Sequence, residues 1–318
     1  MKAAVVLEIG EAPVYSDFDD PVPSNGEVCV TVTASALTNF TKVRAAGKHF
    51  SFRAHPPFVV GIDGVGMLDD GRRIYFVFPR PPYGGMAEKT VVPSSQCVEV
   101  PDEVDDITLA AISDPGMSAW VALESRAKMV RGETVLVNGA TGSAGTMAVQ
   151  IAKYLGAKKV IATGRNQQAL TALLSLGVDE AVALECNSTP PEAALRKQFE
   201  KGVDIVLDYL WGTSAERILA ATTAGKGRNP IRFVQIGTAS GPNITLPGTV
   251  LRSSDVQMMG SGIGSVALEN ILGIISKLIH AAPVAGFKVG TMPLPLHRIG
   301  EVWSAENITP RIVFTMSS

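Results

Sequence analysis

Residues 133–166 read ETVLVNGATGSAGTMAVQIAKYLGAKKVIATGRN, and this stretch gives the strongest indication of the fold. A short apolar run at residues 135–137 is followed by three glycines: Gly139, Gly142 and Gly145. Apolar residues at spacings of three and four over residues 147–155 predict a helix that stops at Gly156. A second apolar run occupies residues 160–162. Strand, glycine turn, helix and strand in roughly 30 residues are typical of a unit that binds a dinucleotide.

Each glycine of this turn has a separate physical role. We expect Gly139 to turn the chain sharply off the strand, Gly142 to let the backbone approach a diphosphate, and Gly145 to let the helix pack closely. The free N–H groups at the helix N-terminus then face the phosphates. An ordinary strand–helix turn without a ligand is the alternative. The predicted cofactor-binding residues of the turn are Gly139, Thr141, Gly142, Ser143, Ala144 and Gly145.

The residues after the second strand indicate which nicotinamide cofactor is used. An Asp or Glu about 20 residues beyond the glycine turn commonly binds the ribose 2′-hydroxyl, but residues 163–166 contain no acid. Arg165 could instead pair with a 2′-phosphate through charge-assisted hydrogen bonds. This favours NADPH over NADH, with Gly164, Arg165 and Asn166 in the site. Alternatively, Arg165 is a solvated surface residue and Asn166 caps the next helix.

Composition and charge exclude several classes of protein. The chain has 318 residues, 46% of them hydrophobic and 18% charged, as expected of a globular protein with room for two domains. A formal net charge of −2 without a basic run argues against a nucleic-acid partner. No apolar run suggests a membrane span or signal peptide. The cysteines, which are Cys29, Cys97 and Cys186, are too far apart for a metal cluster, and a cytoplasmic location is expected.

The remaining pattern predicts an α/β protein with two domains. Residues 1–100 show short strands with Gly and Pro turns, which suggest a small barrel. Asp114 and Pro115 are predicted as the N-cap and first residue of a helix. Six apolar runs then alternate with helices, which implies a doubly wound parallel sheet. The predicted barrel domain comprises residues 1–118 and 263–318, and the predicted nucleotide-binding domain comprises residues 119–262.

Several motifs together carry a resemblance to a known family. They lie at residues 58–66, 83–88, 118–120, 203–208 and 236–241, in addition to the glycine turn. The chain resembles the zinc-free, quinone oxidoreductase-like branch of the medium-chain dehydrogenase/reductase superfamily. The resemblance implies a GroES-like β-barrel catalytic domain, a Rossmann domain and a homodimer. It also implies that backbone after the fifth Rossmann strand lies along the nicotinamide, at Gly237, Thr238, Ala239 and Ser240. Ser261, after the sixth strand, either does likewise or marks the subunit contact.

The chain departs from the zinc-dependent members of this family. The positions similar to their catalytic zinc ligands are Thr38, Ile62 and Asp114. Isoleucine cannot bind a metal, and a hydroxyl is a poor zinc ligand beside imidazole or thiolate. The close-set cysteines of a structural zinc lobe are missing as well. The sequence therefore predicts an enzyme without zinc.

The resemblance implies hydride transfer from NADPH to a quinone or an α,β-unsaturated carbonyl compound. Without a metal, hydrogen bonds must stabilise the negative charge that develops on the carbonyl oxygen. Asn39, Thr38 and Tyr83 are the candidate donors, although Asn39 could be a turn or cap residue and Tyr83 a packed barrel residue. The relatives' substrate loop corresponds to residues 47–57. It contains three residues that either contact the substrate or are ordinary exposed surface residues: His49, Arg53 and His55.

Two other functions remain open at this stage. One is an enoyl-thioester reductase, whose relatives carry an acidic tyrosine in the barrel loop; residues 38–58 contain no tyrosine. The other is a regulatory protein that retains the fold and binds NADPH without turnover.

Overall fold

The computed structural model describes residues 1–48, 55–185, 191–225, 229–305 and 310–316. The chain forms two compact units. The first consists of Met1–Asp114 and Ile275–Ser318, and the second consists of Pro115–Ile274.

The strands of the described residues, in chain order, are β1 (Lys2–Val6), β2 (Val14–Asp17), β3 (Glu27–Ala36), β4 (Phe58–Val59), β5 (Asp63–Leu68), β6 (Arg73–Val77), β7 (Lys89–Pro93), β8 (Cys97–Glu99), β9 (Thr134–Asn138), β10 (Lys159–Gly164), β11 (Glu180–Ala183), β12 (Ile205–Asp208), β13 (Ile231–Gln235), β14 (Val256–Gly260), β15 (Thr291–Pro295) and β16 (Arg311–Thr315). The α-helices are α1 (Asn39–Ala45), α2 (Asp106–Trp120), α3 (Ser143–Tyr154), α4 (Gln167–Ala172), α5 (Pro191–Lys201), α6 (Gly212–Ala221), α7 (Gly248–Ser253), α8 (Leu268–Ala285) and α9 (Ile299–Val302). A π-helical segment, Val121–Arg126, continues α2.

A parallel sheet forms the centre of the second unit. Its six described strands have the order β11-β10-β9-β12-β13-β14. Leu136 of β9 lies opposite Ile161 of β10 on one side and Val206 of β12 on the other. These three side chains are buried in a core to which α5 and α6 contribute. Strands whose two faces are both covered need continuous apolar runs, which explains why the sequence predicted them. The predicted doubly wound α/β class is confirmed.

Mainly antiparallel strands form the first unit. One sheet has the order β15-β16-β3-β5-β6-β8, with β7 paired to β3, and a second has the order β2-β1-β4. The Asp-Asp-Gly turn at residues 69–71 joins β5 to β6, and Gly71 has a φ of +87°. Strand β16 pairs with β3, so the C-terminal part of the chain returns to this unit.

The predicted start of a helix at Asp114 is wrong. Helix α2 begins at Asp106, after Asp105 has accepted a hydrogen bond from the Thr108 backbone N–H at 2.8 Å. Pro115 lies inside the helix. The helix tolerates it because Leu109 to Ile112 before it, and Ala119 and Trp120 after it, are buried. Tertiary packing therefore outweighs the local preference of proline for a first turn.

One described helix is long and apolar enough to meet the criteria of a membrane span. It is α8, and 39% of it is buried within the protein. Its isoleucines at positions 271, 274, 275 and 279 are among the buried residues, and Lys277 and Pro283 also belong to it.

Candidate functional site

The glycine turn after β9 has the geometry that its three roles require. Gly139 has a φ of +86°, where a side chain would be strained. A Cβ at Gly145 would lie 2.3 Å from the Gly139 carbonyl oxygen and 2.5 Å from the Ala140 Cα. A Cβ at Gly142 would meet only the Gly139 oxygen, at 3.9 Å. The chain therefore packs tightly at Gly145 and leaves open space at Gly142.

The N-terminus of α3 lies directly after that open space. Gly142 is its N-cap and has no side chain to accept a hydrogen bond, and its first turn contains no acid. The first hydrogen bond of the helix runs from the Thr146 N–H to the Gly142 carbonyl, at 2.8 Å. The N–H groups of Ser143, Ala144 and Gly145 precede it and point out of the helix end. This 12-residue helix therefore offers donors and a positive dipole end to an anion.

The segment after β10 contains the predicted cofactor specificity residues. Thr141 of the glycine turn packs over Gly164, where a Cβ would lie 2.8 Å from the Thr141 methyl group. Arg165 is exposed, and none of the described residues accepts a hydrogen bond from it. The Asn166 side chain accepts a hydrogen bond from the Ala169 N–H at 3.0 Å and so caps α4. Arg165 thus has a free cationic group, whereas the side-chain oxygen of Asn166 is already engaged.

The predicted residues after β13 and β14 lie at the same end of the sheet. Gly237 packs against the Tyr209 backbone, and a Cβ there would be 2.6 Å from the Tyr209 carbonyl oxygen. The Ser240 N–H donates to the Leu210 carbonyl at 2.7 Å, while Thr238, Ala239 and Ser240 remain exposed. The Ser261 N–H donates to the Gln235 carbonyl at 2.8 Å. The carboxyl ends of β9, β10, β13 and β14 therefore carry all the predicted cofactor-binding residues.

A buried polar network links the ends of β9, β10 and β12, and the sequence analysis missed it. Asp208 accepts hydrogen bonds through one oxygen from the Asn138 side chain at 2.7 Å and from the N–H groups of Leu210 and Trp211. The Asn138 side-chain oxygen accepts from the Thr163 and Ser214 hydroxyls at 2.6 and 2.9 Å. Burial raises the pKa of Asp208. The sequence does contain a signal for this network, because polar residues occupy the last positions of otherwise apolar strands.

These contacts hold the loop after β12 in an unusual conformation. Trp211 has a φ of 57° and a ψ of −154°, and its N–H is bonded to Asp208 at 3.1 Å. The next residue, Gly212, has a φ of +54°, and a Cβ there would lie 2.4 Å from the Ser240 carbonyl oxygen. Backbone in sparsely populated regions persists where surrounding contacts fix it, often at functional sites. An uncapped helix N-terminus, open space at Gly142 and a free arginine after β10 together fit a phosphorylated dinucleotide.

The predicted catalytic neighbours Thr38 and Asn39 lie at the start of α1 in the first unit. Thr38 is buried, and its Oγ1 accepts a hydrogen bond from the Thr41 N–H at 2.9 Å. Its hydroxyl also shares a hydrogen bond with the Thr41 hydroxyl at 3.0 Å. Asn39 is exposed, and no described residue bonds to its side chain. The structure therefore gives Thr38 the role of helix cap and leaves the Asn39 amide available.

Tyr83 packs within the first unit. Its ring meets Phe18 edge-on, with the ring centres 5.9 Å apart, and the Arg80 guanidinium lies 5.9 Å from its centre. The hydroxyl is 3.4 Å from the Asp20 carbonyl oxygen, a long hydrogen bond. These contacts correspond to the packed tyrosine that the sequence analysis gave as the alternative.

A cluster of ionisable side chains is buried in the first unit. The Tyr75 hydroxyl donates to Asp63 Oδ2 at 2.5 Å, while Asp63 Oδ1 is buried and has no hydrogen-bond partner among the described residues. Arg311 pairs with Asp114 at 3.1 Å, and its Nε lacks a partner. Burial, followed by the charge of Asp114, raises the pKa of Asp63 to about 7.

The residues at the relatives' zinc-ligand positions do not form a zinc site. Ile62 has no ligating atom, the Thr38 hydroxyl is engaged with Thr41, and Asp114 is paired with Arg311. Among the described residues, no group of three His, Cys, Asp or Glu side chains lies close enough to hold a metal. The donor set of these positions therefore does not fit zinc. His49 and Arg53 lie outside the described residues, and His55 is exposed.

Comparison with known proteins provides independent information on the family. Residues 144–277 match the family described as zinc-binding dehydrogenase, a range that does not include positions 38, 62 and 114. The chain is 26% identical over 337 aligned residues to the probable NADPH-dependent quinone reductase tdiC of Emericella nidulans, covering 93% of this chain and 94% of the relative. It is 27% identical over 236 residues to prostaglandin reductase-3 of Mus musculus, covering 71% of this chain and 59% of the relative.

A solved structure is similar along the whole chain. The quinone oxidoreductase of Thermus thermophilus, studied alone and in complex with NADPH, aligns with a TM-score of 0.81 and 27% identity. The alignment covers 99% of this chain and 100% of that chain. With the parallel sheet, its glycine turn and these similarities in hand, we conclude that the chain is an oxidoreductase whose sequence and fold are similar to those of the quinone oxidoreductase-like branch of the medium-chain dehydrogenase/reductase superfamily.

Proposed function

We propose that the protein is an NADPH-dependent reductase of quinones or α,β-unsaturated carbonyl compounds. The observation that carries this proposal is the uncapped N-terminus of α3 beside the open space at Gly142. The relatives named as an NADPH-dependent quinone reductase and as a prostaglandin reductase support the cofactor and the acceptor class. When bound, the nicotinamide supplies a hydride to the acceptor.

The residues of the second unit bind the cofactor in this proposal. The N–H groups of Ser143, Ala144 and Gly145 donate to the diphosphate, and the bare backbone at Gly142 permits its approach. Arg165 pairs with the 2′-phosphate, because a guanidinium binds phosphate through two parallel hydrogen bonds. The exposed backbone of residues 237–240 and Ser261 lie along the nicotinamide. Asp208 and Asn138 hold the loops that carry these groups.

Asn39 is the proposed donor to the substrate oxygen. Negative charge develops on that oxygen as the hydride arrives, and a positioned N–H donor stabilises it. The Asn39 amide is accessible and unbonded, whereas the Thr38 hydroxyl is buried and already caps α1. Tyr83 is a weaker candidate because its hydroxyl and ring have partners in the first unit. The proton that completes the reduction comes from solvent.

We propose further that the reaction proceeds without zinc. The side chains of Thr38, Ile62 and Asp114 supply no thiolate or imidazole, the ligands that zinc prefers. Hydrogen bonding from Asn39 then has to polarise the substrate carbonyl, as a metal ion does in metal-dependent enzymes. Elemental analysis of active, purified protein tests this point: one zinc per active chain would contradict it.

Turnover measurements test the proposed reaction. Purified protein is mixed with NADPH and a panel of quinones and enones, and the loss of NADPH absorbance is followed. We expect oxidation above background with at least one of these compounds. Cofactor binding without turnover on any of them would favour the regulatory alternative, and turnover only with enoyl thioesters would favour the second enzymatic alternative.

Replacing Arg165 tests the cofactor preference. Arg165→Gln removes the charge that pairs with the 2′-phosphate, so we expect the KM for NADPH to rise about tenfold or more while that for NADH changes little. Arg252→Gln is the matched control, since Arg252 is an exposed arginine of α7 in the same unit. An equal change in both cofactors' KM would contradict the assigned role.

A further inference from the structure

One arginine of the first unit lines a cavity and has no hydrogen-bond acceptor in the part of the chain that the structure describes. Arg44 of α1 is half-buried, and its guanidinium carbon lies 5.7 Å from the centre of the Phe40 ring. No described residue accepts a hydrogen bond from its N–H groups. The other half-buried or buried arginines described in this unit all have acceptors: Arg73, Arg80 and Arg311. A guanidinium withdrawn from water without an acceptor is unfavourable unless a ligand supplies one.

The cavity beside Arg44 suits a small anion. It encloses about 50 Å³, which is room for a group of a few heavy atoms. Phe58, Val60 and Pro82 give it apolar walls, and no Asp or Glu is among its described lining residues. Burial lowers the pKa of Arg44, and no neighbouring carboxylate offsets that effect. Arginine nevertheless remains protonated in proteins, so the cavity carries an uncompensated positive charge.

We propose that this cavity binds the carboxylate of the substrate, so that the preferred hydride acceptor is a quinone or enone that also carries an acidic group. A carboxylate accepts two parallel hydrogen bonds from a guanidinium, and these hydrogen bonds are stronger in an apolar surrounding. Thr41, on the same helix as Arg44, also lines the cavity. This inference rests on the proposed function and names the substrate class within it.

A matched pair of substrates tests the inference by turnover. The pair consists of 4-oxopent-2-enoate and its methyl ester, which share the enone but differ in charge. We expect Arg44→Gln to lower kcat/KM for the acid relative to the ester about tenfold or more, since a charge-assisted pair is lost. Arg44→Lys keeps the charge, so we expect it to recover part of the acid-to-ester ratio of kcat/KM. Arg72→Gln, at an exposed arginine paired with Asp70, serves as the control and leaves the ratio unchanged.

A binding measurement without NADPH keeps the inference separate from the proposed reaction. The saturated product 4-oxopentanoate is titrated into wild-type protein and Arg44→Gln and followed by NMR. We expect its Kd to rise about tenfold or more in the variant, with an unchanged melting temperature. Failure of the wild type to bind it, or equal binding by both proteins, would overturn the carboxylate site. Absence of NADPH oxidation with every acceptor would instead overturn the proposed function, while the titration still decides the role of Arg44.

Discussion

Thr38 and Asn39 are neighbours in the chain, but their side chains have different environments. The Thr38 oxygen accepts the N–H of Thr41 and is buried under the start of α1. The Asn39 side chain is exposed and has no partner among the described residues. A cap residue contributes to stability, whereas an exposed amide without partners contributes little to it. Substitutions at the two positions should therefore affect different properties.

We predict opposite outcomes for alanine substitution at these positions. Asn39→Ala should lower kcat about tenfold or more because the substrate oxygen loses its donor, with an unchanged melting temperature. Thr38→Ala should lower the free energy of unfolding by about 1 kcal/mol because α1 loses its cap. Steady-state kinetics and urea unfolding of both variants check this. A larger loss of kcat in folded Thr38→Ala than in Asn39→Ala would contradict the assignment.

Asp63 is a carboxyl group whose surroundings favour its protonated form. It is buried, one of its oxygens lacks a partner, and its pKa is raised to about 7 by burial and by the charge of Asp114. In the unfolded chain the pKa returns to its ordinary value of 3.8. At pH values between these two pKa values, the native state therefore retains a proton that the unfolded state has lost. The stability that this proton provides is fully present at low pH and is lost as the pH rises through about 7.

We predict that Asp63→Asn removes this pH dependence. The free energy of unfolding of the wild type relative to Asp63→Asn should fall by more than about 1 kcal/mol between about pH 5 and about pH 8. Urea unfolding of both proteins at the two pH values measures it. The control is Asp70→Asn, since Arg72 lowers the pKa of the exposed Asp70 and no such fall is expected there. A difference that rises with pH would show that Asp63 is ionised in the native state.

The glycine turn and α3 act as one element in which Gly142 and Gly145 have different functions. The space at Gly145 is filled by the turn itself, within 2.5 Å of where a Cβ would lie. The space at Gly142 is open. A side chain at Gly145 must displace the protein's own backbone, while a Cβ at Gly142 would meet only the Gly139 oxygen, at 3.9 Å.

We predict that the two alanine substitutions separate folding from binding. Gly142→Ala should fold with a near-normal melting temperature but bind NADPH about tenfold or more weakly, because its methyl group occupies the approach of the diphosphate. Gly145→Ala should lower the melting temperature, because overpacking costs about 1–3 kcal/mol. Thermal melts and fluorescence titration with NADPH measure both effects. Normal NADPH affinity in Gly142→Ala would contradict the proposed diphosphate position.

Of the two units, we expect the proposed ligand to stabilise mainly the one that binds it. A ligand that binds the native state alone at about 100 times its Kd adds about 2.7 kcal/mol to the free energy of unfolding. The proposed cofactor residues all belong to the second unit, Pro115–Ile274. NADPH should therefore protect amides of the buried strands β9, β10 and β12 from hydrogen exchange, whereas β3 and β5 should change less.

Hydrogen exchange followed by mass spectrometry, with and without saturating NADPH, measures this difference. Gly142→Ala provides the control, because weakened binding should reduce the protection at the same NADPH concentration. Equal protection of all five strands, or none in the second unit, would contradict the prediction.

The sequence predicted those parts of the fold whose signals are local. The buried parallel strands were evident because both faces must be apolar, as at Leu136 and Val206. The left-handed glycines at 139 and 156 ended elements where predicted. Helix α2 was predicted to start too late, because Pro115 is a strong local signal and the packing of Leu109 and Trp120 is not visible in the sequence. The predicted domain bounds and site residues remain predictions.

The amino-acid sequence alone predicted the alternating strands and helices of the second unit, the glycine turn, and the lack of thiolate or imidazole at two positions similar to the relatives' zinc ligands, Thr38 and Ile62. These features depend on residue type and spacing. The tertiary contacts were needed to show that Thr38 caps a helix while Asn39 has no described partner, that Asp208 joins Asn138 in a buried network, and that Arg44 lines a cavity without a counter-ion among the described residues. Hydrogen bonding and desolvation depend on atoms brought together from distant parts of the chain, and no local pattern encodes those distances.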